Sequence, residues 1–163
     1  MPQGPGQFRD ALRKLLGAQD ECATRLLGAL ESERAALQAG DAERLDDLTG
    51  VKSGLLRTLD ELGHDQMRLL AGLAFDQDGG GMEQALAWCD PDAELRRQQR
   101  DLGQRLKRCR ELNERNGLTV QYRLGYVRRA LDVLNGSPPG SSNVYGPDGL
   151  ASAASPSRLL ASG

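Results

Sequence analysis

The sequence predicts an all-α fold: an elongated, antiparallel, coiled-coil-like bundle of three main helices followed by a flexible C-terminal tail. Three observations carry this. Aromatic residues are only 4% of the 163 residues, while leucine, alanine, arginine, glutamate and glutamine dominate, a composition that favours helices over a β sandwich or barrel. Apolar residues recur at steps of three and four through three long segments, the helical period. After Gly136 the composition turns to Ser, Gly, Pro and Ala, with few large apolar side chains. The expected division is a helical bundle over 1–136 and a tail over 137–163.

The first helix is expected at 7–39. Phe8, Leu12, Leu15, Leu16, Cys22, Ala23, Leu26, Leu27, Leu30 and Leu37 form a broad apolar stripe. Gly40 reads as a stop and Asp41 as a new N-cap, and so short a break turns the next helix back antiparallel.

The second helix is expected at 41–75. Alternating steps from Leu45 give Leu45, Leu48, Lys52, Leu55, Leu59, Leu62, Gln66, Leu69 and Leu73, a seam sustained over several heptads. FDQDGGG at 75–81 makes a loop. MEQALAWC at 82–89 adds a short helix or bridging turn, with Trp88 as an apolar plug.

The third main helix is expected at 91–135, with Asp90 as N-cap and Pro91 at the first helical position. Leu95, Leu102, Leu106, Cys109, Asn113, Asn116, Val120, Val127, Leu131 and Leu134 trace one face, and Asn135-Gly136 ends it. In the tail, Val144-Tyr145 and Leu159-Leu160 are apolar islands.

Charge is unevenly spread. Residues 1–90 hold 9 Lys/Arg against 16 Asp/Glu, and residues 91–135 hold 11 against 6. The simplest reading is acidic and basic helices packed side by side. The arginines between Arg96 and Arg110 offer phosphate contacts, but they spread around the helix and lack an aromatic stacking platform. No nucleic-acid partner is therefore expected.

Catalytic chemistry is not indicated. His64 is the single histidine, on a polar stretch of the second helix; Cys22, Cys89 and Cys109 are widely separated and suit neither a disulfide framework nor a zinc site. Gly79-Gly80-Gly81 lacks the following lysine of a phosphate loop. The expectation is a non-enzyme without metal or cofactor. No apolar run approaches a membrane span and the first residues lack a signal-peptide core, so a cytoplasmic protein without membrane insertion is expected.

The segment NERNGLTVQYRLGYVRRALDVLNG, 113–136, is the one that departs from pattern. Asn113, Asn116 and Gly117 are poor helix-interior residues placed in the longest helical pattern. Either the asparagines lock register against the first two helices, or they offer their amides on an uncovered face. Gly117 permits close backbone approach or a kink.

The order N-x-x-N-G at 113–117, an amphipathic helix through Tyr122, Tyr126 and Leu131, and Y-G-P-D-G at 145–149 resembles the FlgN family of flagellar export chaperones. The ordered motifs cover about 109–152; upstream, the likeness is in length, leucine pattern and helical character. The resemblance implies a chaperone for the hook-associated proteins FlgK and FlgL, which holds them unpolymerised and delivers them to the flagellar type III export apparatus. It places client binding on the C-terminal part, where Val120, Leu124, Val127, Leu131 and Leu134 supply an apolar ridge and Tyr122 and Tyr126 amphipathic anchors. It links Tyr145, with Gly146 and Gly149, to docking at the export gate. A homodimer of the free protein is compatible with such a ridge. The competing readings are a generic coiled-coil adaptor or scaffold and a helical nucleic-acid-associated protein.

Overall fold

The computed structural model describes residues 4–73 and 80–135. Four helices occur among them: α1 (Pro5–Ala39), α2 (Ala42–Ala71), α3 (Gly81–Cys89) and α4 (Glu94–Leu134). No strand occurs among the described residues, so the all-α class holds. The expected tail, with Tyr145, Gly146 and Gly149, lies outside the described residues.

Helix boundaries follow local chemistry. Pro5 stands in the first turn of α1, where its missing N–H costs no helical bond. Gly40 takes a left-handed conformation, φ 73°, which glycine adopts without Cβ strain. There the Asp41 N–H reaches back to the Ala36 carbonyl at 3.0 Å and closes the end of α1. The Asp41 carboxylate then accepts the Arg44 N–H at 3.0 Å, a cap of about 1 kcal/mol that starts α2.

The start of α4 differs from expectation. Its first helical residue is Glu94, not Pro91. Asp90 instead ends α3, and Ala93 bridges to α4 at φ 53°. The buried Asp90 carboxylate still serves the helix from outside, accepting the Glu94 N–H at 3.1 Å and the Arg96 N–H at 3.0 Å. Burial pushes the Asp90 carboxyl up, but these backbone N–H groups, that of Leu95 and the nearby Arg9 guanidinium hold it below the usual carboxylate value.

The chain divides into two compact units, the first ending at Tyr122 and the second beginning at Arg123. The first unit holds two apolar clusters. One joins Phe8, Leu12 and Leu16 of α1, Leu70 of α2, Met82, Ala85, Leu86 and Cys89 of α3, and Leu95 and Leu102 of α4. The other joins Cys22, Leu26 and Leu30 with Leu55, Cys109 and Leu112. Phe8, Leu12, Leu86 and Leu95 are fully buried; removing such a leucine side chain costs about 2–5 kcal/mol.

Three details correct the sequence reading. Leu70, rather than Leu69 or Leu73, is the buried leucine near the end of α2, while those two pack partly against the cluster. Leu112 is buried although it lies off the predicted stripe. Trp88 is 41% exposed and is not a plug; it meets Phe8 at the cluster's edge, ring centroids 5.8 Å apart. Ala85 and Leu86 fill the interior place expected for it.

α1 is the shared partner. It meets α2 where Cys22 Sγ donates to the Leu55 carbonyl at 3.4 Å and where Glu33 meets Lys52. It meets α4 at a near-constant sequence offset: 81 for Arg13–Glu94, 85 for Asp20–Arg105, and 86 for Ala23–Cys109 and Leu30–Asn116. A constant offset means that these stretches of α1 and α4 advance in the same direction. Charge reinforces the alignment: Arg105 pairs with Asp20, Arg108 with Glu31 at 3.4 Å, and Arg13 with Glu94 at 2.8 Å. Part of the basic stretch of α4 is thereby neutralised by acids of α1.

Candidate functional site

The asparagine segment falls on α4, and within the first unit the structure separates its members. Asn116 is 3% exposed. Its Nδ2 donates to the Leu30 carbonyl at 2.9 Å and to Glu33 Oε2 at 2.8 Å. The second carboxylate oxygen, Oε1, receives Lys52 Nζ at 2.7 Å, and Lys52 also donates to Asn113 Oδ1 at 3.3 Å. Asn113 itself is exposed. Side chains from α1, α2 and α4 thus meet in one polar cluster beside the second apolar cluster.

The chemistry is that of alignment. A buried carboxylate loses hydration, and removing either partner leaves it uncompensated. Glu33 therefore requires both Lys52 and Asn116 at its oxygens. A slip of either helix by one residue would rotate a donor off the carboxylate. Lys52 stands at a seam position of α2, where all but Lys52 and Gln66 are leucine, and this ion pair accounts for it.

Gly117 behaves differently. A Cβ built there meets no heavy atom within 4 Å. Crowding inside this chain is therefore not what requires a glycine at that position.

Beyond Asn116 the character of α4 changes. Leu118, Val120 and Tyr122 are exposed in the first unit, Tyr122 by 77%. In the second unit Leu124, Tyr126, Val127, Leu131, Val133 and Leu134 are exposed, Leu134 by 81%. All seven predicted ridge and anchor residues are therefore solvent-facing in this chain. Leu118 and Val133 extend the apolar surface and were not singled out from sequence; both lie off the seam that the step count follows. Arg123, Arg128 and Arg129 share this part of the helix with Asp132, so its surface is apolar with a positive bias.

The cysteines carry no site. All three are free and buried. Cys22 donates to the Leu55 carbonyl and Cys109 to the Ala23 carbonyl at 3.6 Å. Burial raises all three thiols above the ordinary value, which keeps them protonated. His64 is exposed, its Nδ1 2.8 Å from the Asp60 carbonyl. Among the described residues no group of His, Cys, Asp and Glu could hold a metal ion, and no helix is long and apolar enough to cross a membrane.

A family model described as FlgN protein matches residues 1–153. The chain belongs to the FlgN family. The match takes in α1 to α4, well beyond the 109–152 stretch whose motifs carry the likeness by eye. Neither a curated protein nor a solved structure matches the chain. Membership of the FlgN family makes this a protein of the flagellar export chaperone type, a family of chaperones rather than enzymes.

Proposed function

We propose that this FlgN-family protein is a cytoplasmic chaperone that binds hook-associated proteins of the FlgK/FlgL type, prevents their premature assembly and delivers them to the flagellar type III export apparatus. The observation that carries the reading is the exposed apolar run on α4 from Val120 to Leu134. Large apolar side chains grouped on one helix, flanked by charge, are the helical half of a helix-in-groove or helix-to-helix contact. Val120, Leu124, Val127, Leu131 and Leu134 form the ridge against a client's amphipathic terminal helix. Tyr122 and Tyr126 anchor its edges, and Arg123, Arg128 and Arg129 steer an acidic client.

Asn113, Asn116 and Gly117 close the aligned part of α4 and precede the client-facing part. α1, α2 and α4 make up an antiparallel coiled-coil-like core within the bundle 1–136, a reading supported by the Glu33–Lys52 and Cys22–Leu55 pairs, in which α2 advances while α1 retreats. In the tail from 137, Tyr145 with Gly146 and Gly149 docks at the export gate. Holding a client this way needs no nucleotide, metal or cofactor.

Co-expression of the full chain with FlgK- and FlgL-type proteins, followed by size exclusion, is the deciding experiment. Co-elution with at least one of them is expected; elution apart from both sinks the reading. A nucleic-acid role has less support, since Arg105 and Arg108 are engaged with Asp20 and Glu31.

A further inference from the structure

Within the first unit a groove stays open between α2 and α4. A pocket of about 290 Å³ bordered by Lys52, Leu56, Leu59 and Leu106 runs into one of about 370 Å³ bordered by Leu59, Gln66, Leu102 and Leu106. Its floor is α1, through Leu16, Gln19, Leu26 and Leu30. Lys52 meets Asn113 at one end, Leu59 and Leu106 border both pockets, and Gln66 and Gln99 border the far one. The two walls therefore run antiparallel, each about 21 Å long at the helical rise, or about four turns. Every residue of the groove precedes Tyr122, so none belongs to the ridge.

Two observations point to an occupant. Gly63 and Gly103 stand on opposite walls, and a Cβ at either meets no heavy atom within 4 Å. Glycine costs helix stability at both places, and crowding inside the chain does not require it. The same pocket is bordered by Gln19, which is 7% exposed and whose Oε1 has no hydrogen-bond partner. Neither Gln66 nor Gln99 supplies one, although both border that pocket. A buried amide oxygen that has given up water lacks a donor, and the open side of the groove is where one can enter.

Charge says what kind of occupant fits. Lys52 and Arg110 are the charged residues that border the groove, and no carboxylate borders it. Arg110 shares a line along α4 with Arg100, Gly103 and Lys107, at steps of three and four, so a basic rim follows the wall. Arg105 and Arg108 are paired with Asp20 and Glu31 of α1. Arg100, Lys107 and Arg110 make no ion pair among the described residues. Between this rim and α2 the surface is aliphatic, with no aromatic ring on which a base could stack. An apolar slot with one cationic edge suits an acidic amphipathic helix better than a nucleic acid.

We propose that the groove is a docking site for an acidic amphipathic helix of another protein, about four turns long, which lies over α1 as a fourth helix between α2 and α4. Its apolar face covers Leu56, Leu59, Leu102 and Leu106, and its carboxylates meet Arg100, Lys107 and Arg110. One side chain carrying a donor passes between Gly63 and Gly103 to the Gln19 oxygen. The site is separate from the ridge and does not rest on the client reading.

The test uses the full chain and a synthetic helix of about four turns, with leucine at its a and d positions, one asparagine among them, and glutamate on its flanks. A twin carries lysine in place of glutamate. Fluorescence anisotropy should show saturable binding of the glutamate helix, about tenfold or more tighter than that of the twin. Gly63→Leu with Gly103→Leu should keep or raise the melting temperature, since both side chains enter open space and leucine favours helix, and should weaken binding about tenfold or more. Lys107→Glu with Arg110→Glu should reverse the preference between the twins, while Leu131→Ala with Leu134→Ala should leave binding unchanged. Absence of saturable binding overturns the proposal, as do equal binding of the twins and a loss in the ridge variant instead of the groove variant. Binding of a single-stranded oligonucleotide in place of the peptide would assign the rim to nucleic acid. A mass of the chain alone that falls in sedimentation when the groove is filled would make a second copy the occupant, and either result sinks the proposal. A chain that captures its client but not the peptide removes this site and leaves the chaperone reading intact; the opposite result does the reverse.

Discussion

Asn116 Nδ2 lies 2.8 Å from Glu33 Oε2, and through that carboxylate it is linked to Lys52 on a third helix. Three helices are thus referred to one buried charge. Asn116→Ala would leave Glu33 Oε2 and the second acceptor site of Leu30 without their donor. A loss of about 1–3 kcal/mol is expected, read as a lower denaturant midpoint. Asn113→Ala, which removes only an exposed 3.3 Å contact, should cost less than about 1 kcal/mol. Equal losses at both positions would show that Asn116 does not hold the alignment.

The Asp90 carboxylate gives a pH-dependent counterpart. Despite burial, its folded value lies below that of an ordinary aspartate, held down by backbone N–H groups and Arg9, so the folded state favours the ionised form. The stability it contributes is present above the unfolded value and is lost as pH falls through the folded one. Asp90→Asn should therefore destabilise the protein at neutral pH, and the gap to the wild type should close as pH drops below about 4. Urea melts across that range check it; a gap independent of pH would mean that the loss does not come from the charge of the Asp90 carboxylate.

The pattern of steps made α1 and its Gly40-Asp41 stop legible, since both rest on backbone chemistry within a few residues. It missed Leu112 and chose Leu69 and Leu73 over Leu70 because a heptad count fixes one line along a helix. At Leu70, α3 joins the first cluster and widens the buried arc; Leu112 lies in the second, between α1 and α2 residues. The start of α4 was misplaced for a related reason. Asp90-Pro91 has the form of a cap, but Asp90 closes α3 and reaches α4 across a turn. At the notch, sequence could mark Asn113 and Asn116 as anomalous without dividing them. Their division depends on where Glu33 and Lys52 stand on other helices. The exposed ridge was legible as amphipathic, while its exposure is a property of what does not pack against it.

Burial also predicts thiol behaviour. Cys22, Cys89 and Cys109 are buried and shifted toward the protonated form, so none presents a thiolate at neutral pH. Reaction with an aromatic disulfide reagent should be slow in the native protein and should release three equivalents quickly once denaturant unfolds it. A rapid native phase of one equivalent would show that a thiol is open to solvent.

The last prediction separates folding from recognition on α4. Leu131 and Leu134 are exposed in the second unit, so truncating them to alanine removes little buried surface, and alanine favours helix at least as well as leucine. The double variant should keep its circular dichroism and shift its melting point by no more than the equivalent of about 0.5 kcal/mol. Binding to a FlgK- or FlgL-type client should fall by tenfold or more if both side chains are covered in the complex, since each buried leucine is worth about 1.5–3 kcal/mol. A circular-dichroism melt measures the first number, and isothermal titration against the separately purified client measures the second. Undiminished binding by a correctly folded variant would move the client surface off this ridge.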